Sequence, residues 1–237
     1  MSTSTIEPKT LRRSRFKSIL KLLLFAGLVV GAVITIANWI WTMSGSNRWE
    51  LIRDENGIKI YALKTPGEAA EKFKGVVNVR SSLTGLVMLM YDPTMCTEIG
   101  CYDPKGIGGD LQVGYTTFMI NPPYPFPFQP RQFVARVFIY QDKSSKEVLI
   151  QMNPALDRLP PDDRYFRVSD FYNRWRFTPQ KDGVVEAEYI LDDKFSGFVP
   201  NFLERWRRPK FVYRVLASLP GHVAKYQQAK LPFIENQ

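Results

Sequence analysis

The segment from Leu22 to Met43 contains no charged side chain, and no other feature constrains the fold of this chain as strongly. As an α-helix it would be about 33 Å long at about 1.5 Å per residue, enough for a hydrocarbon core of about 30 Å. A cleaved signal peptide is the alternative, but this stretch is longer than a typical signal core and no A-x-A cleavage motif follows it. We therefore predict one transmembrane helix over residues 19–43, after an N-terminal segment of residues 1–18.

Basic side chains are concentrated before this apolar segment. Positive charge beside a membrane helix marks the cytoplasmic side. Only Arg48 and Arg53 follow the segment closely, whereas Arg12, Arg13, Arg15, Lys17 and Lys21 precede it. We therefore expect a single-pass membrane protein with a cytoplasmic N-terminus and its folded part on the outer side, periplasmic or equivalent.

The same region determines which partners we expect. The net charge is +9, but most of the excess lies within residues 1–48 beside the membrane segment, so the bilayer is an expected partner and nucleic acid is not. Gly27 and Gly31 form a G-x-x-x-G pair, which can bring two membrane helices together as a weak homodimer. The ordinary glycine content of membrane helices also explains the pair, and we prefer that explanation.

After a short polar linker at residues 44–48, apolar and polar residues alternate through much of the chain. This period of two predicts β-strands with one apolar face. Residues 82–91 change to helical spacing after a serine cap, which predicts one helix after three strands. The expected strands cover residues 49–53, 58–63, 73–80, 111–120, 131–141, 146–152, 164–178 and 184–192.

The C-terminal segment, from residue 192 to about 228, is amphipathic with helical spacing. Polar residues and Pro200 at its start are helix-entry signals. Pro209 and Pro220 each remove one intrahelical hydrogen bond, so we expect a break or kink at both positions. The longest uninterrupted helix is then residues 210–219.

One loop is rich in proline and aromatic residues. Residues 121–130 read NPPYPFPFQP, which suits neither a paired strand nor a helix. Its side chains Tyr124, Phe126 and Phe128 are candidates for a cavity lid or a membrane contact, since exposed aromatic rings enter the bilayer interface. A loop packed back onto the core is an equally good alternative.

The sequence offers few groups for catalysis or metal binding. Cys96 and Cys101 are the only cysteines. In an oxidising compartment they could form a small disulfide, and in the cytosol they would be two thiols. His222 is the only histidine, so the sequence contains no Cys/His metal motif. We expect no metal, no cofactor and no enzymatic activity.

Four short motifs give the chain a resemblance to a known family. They are W-x-L-x-x-x-x-x-G-I-K-I-Y at Trp49 to Tyr61, P-R-x-F-V at Pro130 to Val134, W-x-x-x-P at Trp175 to Pro179, and D-x-x-x-x-G-x-V-P-x-F-L at Asp192 to Leu203. In this order and spacing, the chain resembles the START (StAR-related lipid transfer) domain of the Bet v 1-like, helix-grip superfamily. The resemblance covers about residues 49–230 and leaves residues 231–237 as a tail.

This resemblance implies an α+β fold in which a curved antiparallel β-sheet wraps around a long C-terminal α-helix. In the family, a central hydrophobic cavity between the two holds one lipid. The family also implies gating by the loop before the P-R-x-F-V strand and by the segment from Asp193 to Val199. Some sterol-carrying relatives place an arginine further along that strand, opposite an acid. Here Val137 and Phe118 stand at about those positions, which weakens the expectation of a sterol.

The candidate ligand-binding residues are inward-facing positions of the expected sheet and helix. Alternation does not distinguish a cavity wall from a filled core, so core packing is the simpler explanation for any single position. Tyr115 and Thr117 are the candidate polar contacts. The sheet candidates are Phe73, Val77, Val79, Leu111, Val113, Tyr115, Thr117, Val137, Ile139, Val148, Ile150 and Met152, and the helix candidates are Phe202, Leu203, Val212, Val215, Leu216 and Leu219.

Together these features predict a non-enzymatic, membrane-anchored lipid-binding or lipid-transfer protein. Its cavity would hold one hydrophobic ligand, such as a phospholipid, a fatty acid or another lipid. Two alternatives stay open, because helix-grip proteins include polyketide cyclases that resemble carriers, and a membrane-tethered lipid sensor would need the same cavity. A stable protein partner would identify the sensor.

Overall fold

Lys9–Met43 form one 35-residue α-helix, α1, in the computed structural model of this chain. The structure describes residues 9–98, 100–121, 129–194 and 201–236, and only the backbone of residues 9–16 and 201–204. Within α1, Lys17–Met43 is long and apolar enough to cross a bilayer, and its apolar window is not buried by the rest of the chain. The same length and composition also suit a signal sequence.

One large, mostly antiparallel sheet dominates the rest of the described chain. Its strands are β1 (Trp49–Glu55), β2 (Ile58–Leu63), β3 (Lys72–Arg80), β4 (Cys101–Gly109), β5 (Val113–Ile120), β6 (Arg131–Gln141), β7 (Val148–Pro154), β8 (Phe166–Arg167), β9 (Asn173–Pro179) and β10 (Val184–Leu191). They lie in the order β1-β2-β3-β10-β9-β7-β6-β5-β4, with each neighbour antiparallel. The short β8 pairs in parallel with β6.

Hydrophobic alternation located most of these strands. The prediction for residues 131–141 is confirmed by β6, which has the same bounds. The prediction of one strand over residues 164–178 is wrong, because β8 and β9 are separate strands. Between them the chain turns, and Phe171 forms an isolated bridge with Asp193.

Two short helices follow β3: α2 (Leu83–Leu89) and α3 (Pro93–Glu98). The predicted serine cap of α2 is confirmed, since the Ser82 side chain accepts a hydrogen bond from the Gly85 amide at 3.0 Å. The sequence did not predict α3 or β4. β4 is rich in glycine and its pairing with β5 shifts register twice, so it lacks the alternation that reveals a strand. β1, at the opposite edge of the sheet, has one such shift against β2.

The last helix, α4 (Asn201–Val223), packs across β2, β3 and β10. Its buried side chains include Val212, Leu216 and Leu219. The helix comes closest to the sheet at Gly75 of β3. A Cβ atom added there would lie 2.4 Å from Leu216 Cδ1 and 2.6 Å from Val212 Cγ1. Helix and sheet are therefore in direct contact at this point.

A break at Pro209 or Pro220 is wrong, because α4 continues through both residues, and a kink at either one stays a prediction. A proline in a helix interior costs about 3 kcal/mol. Burial of one Val or Leu side chain contributes about 1.5–3 kcal/mol, and several such side chains lie on the buried face of α4. Packing against the sheet therefore outweighs the local cost of the two prolines.

Asp92 ties the start of α3 to the segment that follows α4. Its carboxylate accepts hydrogen bonds from the Thr94 amide at 2.9 Å and from the Tyr226 hydroxyl at 2.9 Å, and it also pairs with the Lys225 ammonium. Burial raises the pKa of Asp92, but these contacts outweigh burial and hold the pKa well below its usual range. The ionised carboxylate therefore stabilises the folded domain.

Replacing Gly75 with alanine should lower the free energy of unfolding by about 1–3 kcal/mol, because the added methyl group overlaps Leu216 and Val212. Urea denaturation of residues 46–237, followed by tryptophan fluorescence, measures the loss. The matched control is Gly106→Ala in β4, where an added Cβ meets nothing within 4 Å. An equal loss in the control would show that the contact with α4 is not its cause.

Replacing Asp92 with asparagine should destabilise the domain by about 1–3 kcal/mol at neutral pH, since the hydrogen bonds to an ionised acceptor are lost. Because folding depresses the pKa of Asp92, its stabilisation is fully present above the unfolded-state pKa of about 3.9 and is lost as the pH falls towards the folded-state value. The difference in unfolding free energy between wild type and variant should therefore shrink below about pH 4. A difference that stays constant down to about pH 3, in urea denaturation across this pH range, would contradict this role.

Candidate functional site

A cavity of about 420 Å³ lies between the inner face of the sheet and one side of α4. The segment from Met90 to Cys96 forms part of its wall, α4 contributes Phe211 and Val215, and Asp193 follows β10. Small-molecule sites typically occupy about 300–1,000 Å³, so the volume suits a small ligand. The strand residues on the wall are Cys101, Pro104, Lys105, Gly106, Gly114, Tyr115, Thr116, Phe118, Ile120, Phe133, Val137, Ile139, Ile150, Met152, Asn173, Trp175, Tyr189 and Leu191.

Apolar and aromatic side chains make up most of this wall. Phe118 stacks on Phe133 with ring centroids 4.9 Å apart, and Trp175 stacks on Tyr189 with centroids 4.4 Å apart. Such aromatic pairs contribute about 0.5–1.5 kcal/mol beyond their burial, which helps to keep the wall in one arrangement. A wall of this composition favours an apolar ligand, because binding removes apolar surface from water on both sides.

Polar groups on the wall already bond to the protein itself. The Tyr115 hydroxyl accepts a hydrogen bond from the Arg158 guanidinium at 2.9 Å, and that guanidinium lies 4.0 Å from the centroid of the Tyr115 ring. The Thr116 hydroxyl donates to the Lys105 carbonyl at 3.0 Å. The first contact joins β5 to the segment that follows β7, and the second joins β5 to β4. The apolar side chains therefore remain the main surface for a ligand.

Two tyrosines on the wall stay protonated at neutral pH. Burial, with a smaller contribution from Asp110, raises the pKa of Tyr91 to about 12. Burial also raises the pKa of Tyr189 well above its ordinary value, and Asp193 adds to the effect. The Tyr91 hydroxyl donates to the Leu111 carbonyl. Neither phenol can therefore act as an anionic base at neutral pH.

A disulfide joins Cys96 of α3 to Cys101 of β4, with Cα atoms 4.8 Å apart. Both residues lie on the cavity wall. The bond fixes α3 against the first residue of the edge strand β4. It therefore holds this side of the wall in place.

The structure brings six of the predicted ligand-binding residues together on the wall. They are Tyr115, Val137, Ile139, Ile150, Met152 and Val215. Val137 and Phe118, the two positions that weakened the expectation of a sterol, both present apolar surface to the cavity.

Seven other predicted residues belong to the packed core between the sheet and α4. They are Phe73, Val77, Val79, Val148, Val212, Leu216 and Leu219. Each is at most 8% exposed. Two of them, Val212 and Leu216, lie against Gly75, and this close approach of helix and sheet leaves no space there for a ligand.

The remaining predicted residues lie elsewhere. Leu111 is 48% exposed in the turn before β5, and Val113 is half-buried as the first residue of that strand. Thr117 is buried, and its hydroxyl donates to the Phe133 carbonyl at 2.9 Å. Phe202 and Leu203 lie in the part of α4 where only the backbone is described. Tyr124, Phe126 and Phe128 lie outside the described residues.

Some wall residues were missing from the predicted set. Tyr189 and Leu191 follow the same alternation as the predicted strand residues, so the sequence did contain a signal for them. Met90 lies in the segment 82–91 that was predicted as a helix but not assigned to the cavity, and Met95 lies in α3, which the sequence did not predict. Phe211 lies one residue before the core position Val212, at the border of the apolar helix face.

Within the described ranges, no group of three or more His, Cys, Asp or Glu side chains could hold a metal ion. His222 lies near the end of α4, with Nδ1 2.9 Å from the Ser218 carbonyl and Nε2 3.8 Å from Glu98. The first contact lies within α4, and the second joins α4 to α3. They give His222 a structural part in the fold.

Comparison of sequences finds a distant relative of this chain. No family model matches the sequence. An uncharacterized protein of Pseudomonas aeruginosa is 23% identical over 158 residues, which cover 65% of this chain and 76% of that protein. At this identity the relative does not establish a function.

Comparison of structures shows the fold. A STAR-related lipid transfer protein fragment from Xanthomonas axonopodis superposes with a TM-score of 0.67 and 19% identity, covering 74% of this chain and 98% of the fragment. Human StAR-related lipid transfer protein 5 gives 0.62 at 13% identity, covering 84% and 97% of the two chains. Human STARD10 gives 0.61 at 11% identity, covering 98% and 88%. These likenesses confirm the resemblance and the fold class predicted from the motifs: the chain has the helix-grip fold of START domains, preceded by a long apolar helix.

Proposed function

We propose that this chain is a membrane-anchored lipid-binding protein that holds one hydrophobic ligand. The observation that carries the proposal is the cavity of about 420 Å³, walled mainly by apolar and aromatic side chains. Protein interiors are normally close-packed, so a space of this size between a sheet and its helix suits an occupant. Neighbours with the same fold are named as lipid transfer proteins, which supports the assignment.

The cavity volume favours a ligand with one chain. A volume of about 420 Å³ lies near the lower end of the range of about 300–1,000 Å³ for small-molecule sites, which favours one acyl chain over a bulkier lipid. Burial of a chain of about sixteen methylenes contributes on the order of 13 kcal/mol at about 0.8 kcal/mol each, before the costs of binding. Release into water is therefore slow, and exchange needs a membrane that receives the lipid.

Helix α1 is the proposed anchor. Lys17–Met43 is apolar and exposed, and basic residues precede it, so we place the N-terminus in the cytoplasm and the domain on the outer side. The bond between Cys96 and Cys101 supports this orientation, because disulfides persist mainly in oxidising compartments.

The proposed lid consists of the last helix, α4, together with the proline-rich loop. Phe211 and Val215 of α4 form part of the wall, so displacement of this part of the helix would open the cavity. The aromatic residues Tyr124, Phe126 and Phe128 of the loop are the proposed membrane contact, since aromatic rings favour the bilayer interface.

The proposal assigns no reaction to the cavity. Tyr91 and Tyr189 remain neutral at physiological pH, and the Asp92 carboxylate is engaged with Thr94 and Tyr226. The two phenols thus supply no anionic base, and the Asp92 carboxylate is held by structural contacts. Binding and release of a lipid need none of them to react.

The test is native mass spectrometry of residues 46–237, purified from cells and then incubated with a lipid extract. The anchor is omitted because a membrane helix itself retains lipid. We expect an adduct of one lipid per chain, whose mass identifies the ligand class. A protein that stays bare in every lipid mixture would reject the carrier, and small aromatic polyketides would then be the next ligands to test.

Replacing Val137 with tryptophan should reduce the lipid adduct about tenfold or more, a loss of about 1.4 kcal/mol, because the indole would occupy space in the cavity. The matched control is Phe138→Trp, which places the same indole side chain on the opposite face of the same strand. Circular dichroism spectra of both variants check that the domain folds. An adduct equally abundant in Val137→Trp and the control would place the ligand outside this cavity.

A further inference from the structure

The end of α1 and the linker after it are hydrogen-bonded to the loop between β2 and β3. The Trp41 indole Nε1 donates a hydrogen bond to the Ala69 carbonyl at 2.8 Å, and the Gly67 amide donates to the Thr42 carbonyl at 2.8 Å. The Asn47 amide donates to the Lys64 carbonyl at 3.0 Å. The polar linker at residues 44–48 is therefore held against the loop between β2 and β3.

Lys64 is central to this contact. It is only 8% exposed, although lysine is rarely buried without partners. Its ammonium donates to the carbonyls of Thr42 at 3.2 Å and Ser44 at 3.1 Å, and on the other side to those of Thr65 and Glu68. The last carbonyls of a helix have no intrahelical partner, and a cation beside them is stabilising.

Nearby acids compensate for the burial of this charge. Burial lowers the pKa of Lys64, and the negative charges of Glu71 and Glu68 partly offset this by raising it. Glu71 is itself 8% exposed, and burial raises its pKa while Arg205 and Lys64 lower it. The loop thus contains a buried set of opposite charges around the end of α1.

The same loop also holds the first turns of α4. Arg205 Nε lies 3.7 Å from Glu71 Oε2, and Arg208 Nη1 donates to the Glu71 carbonyl at 3.3 Å. The Arg205 guanidinium also lies 5.3 Å from the centroid of the Trp41 ring. The end of α1, the loop and the start of α4 are therefore in mutual contact.

Trp206 is the next residue of α4, and it is 75% exposed. An exposed tryptophan is unusual in an aqueous environment but is favoured at a membrane surface. If α1 spans the bilayer, its last turn lies where the hydrocarbon core ends, and headgroups extend about 5–7 Å beyond that level. Through Arg205 and Trp41, the start of α4 reaches the same level.

We propose that the segment Lys64–Glu71, which we name the anchor clamp, locks the end of the membrane helix to the domain and holds the start of α4 at the bilayer surface, with Trp206 in the headgroup layer. The inference rests on the membrane anchor of the proposed function but not on the bound ligand. The domain then has one orientation on the membrane. Because α4 also carries Phe211 and Val215, one wall of the cavity stays beside the bilayer.

The experiment uses the full chain in lipid nanodiscs and hydrogen exchange measured by mass spectrometry. In the wild type we expect protection of peptides that contain the Asn47 and Gly67 amides. Lys64→Met should raise their exchange rates about tenfold or more, because the charged contacts to the helix end are lost. The matched control is Lys59→Met, an exposed lysine on β2, which should leave both rates unchanged.

A second variant guards against simple misfolding of the domain. Trp41→Phe removes the indole donor to Ala69 from the membrane helix and leaves the domain sequence intact, and it should also accelerate exchange at Asn47 and Gly67. Linker amides that exchange in the wild type at the rate of an unfolded peptide would overturn the clamp. So would equal rates in the wild type and in both clamp variants.

The position of Trp206 has its own measurement. Brominated lipids in the nanodisc quench indoles in the headgroup and chain region. The amount of tryptophan fluorescence that they remove should therefore be smaller when Trp206 is replaced with phenylalanine. No fall would overturn the proposed orientation. Neither measurement depends on a lipid in the cavity. If the chain binds no lipid but its linker amides are protected from exchange, the proposed carrier is rejected and the clamp is retained.

Discussion

The packing of α4 against the sheet is the interaction on which the rest of this structure depends. Two neighbouring stripes of the helix have different surroundings. Val212 and Leu216 press onto Gly75, while Phe211 and Val215, each one residue earlier, face the cavity. Residues four positions apart share one side of a helix, so a rotation by one position, about 100°, would turn Phe211 and Val215 onto the sheet and Val212 and Leu216 away from it. The rotational setting of one helix thus determines where the core ends and the cavity begins.

This setting explains how far the sequence predicts the fold and the site. Alternation within residues 131–141 identifies β6 and its inward side chains, because a strand exposes alternate residues to each face. The pattern does not say what stands opposite each side chain. Phe73 and Ile150 are both inward-facing, yet Phe73 is covered by the core and Ile150 lies on the cavity wall. Distinguishing them requires the position of α4.

Other features lack a local signal because contacts distant in sequence create them. β4 pairs with β5 despite its glycines and two register shifts, and α4 continues through Pro209 and Pro220 because its apolar face is buried. Lys64 is a further example, since composition alone places a lysine at the surface. In each case tertiary packing outweighs a local preference of about 1–3 kcal/mol.

The irregular edges of the sheet have a consequence for the proposed membrane-anchored protein. β1 has a register shift between Leu51 and Arg53, and β4 has two, so neither outer strand offers a long, regular row of backbone groups. Regular edges are templates for pairing with another sheet. Molecules confined to a bilayer move in two dimensions and collide often. On the proposed anchor, these irregular edges would allow copies to lie close together on one membrane without pairing their sheets.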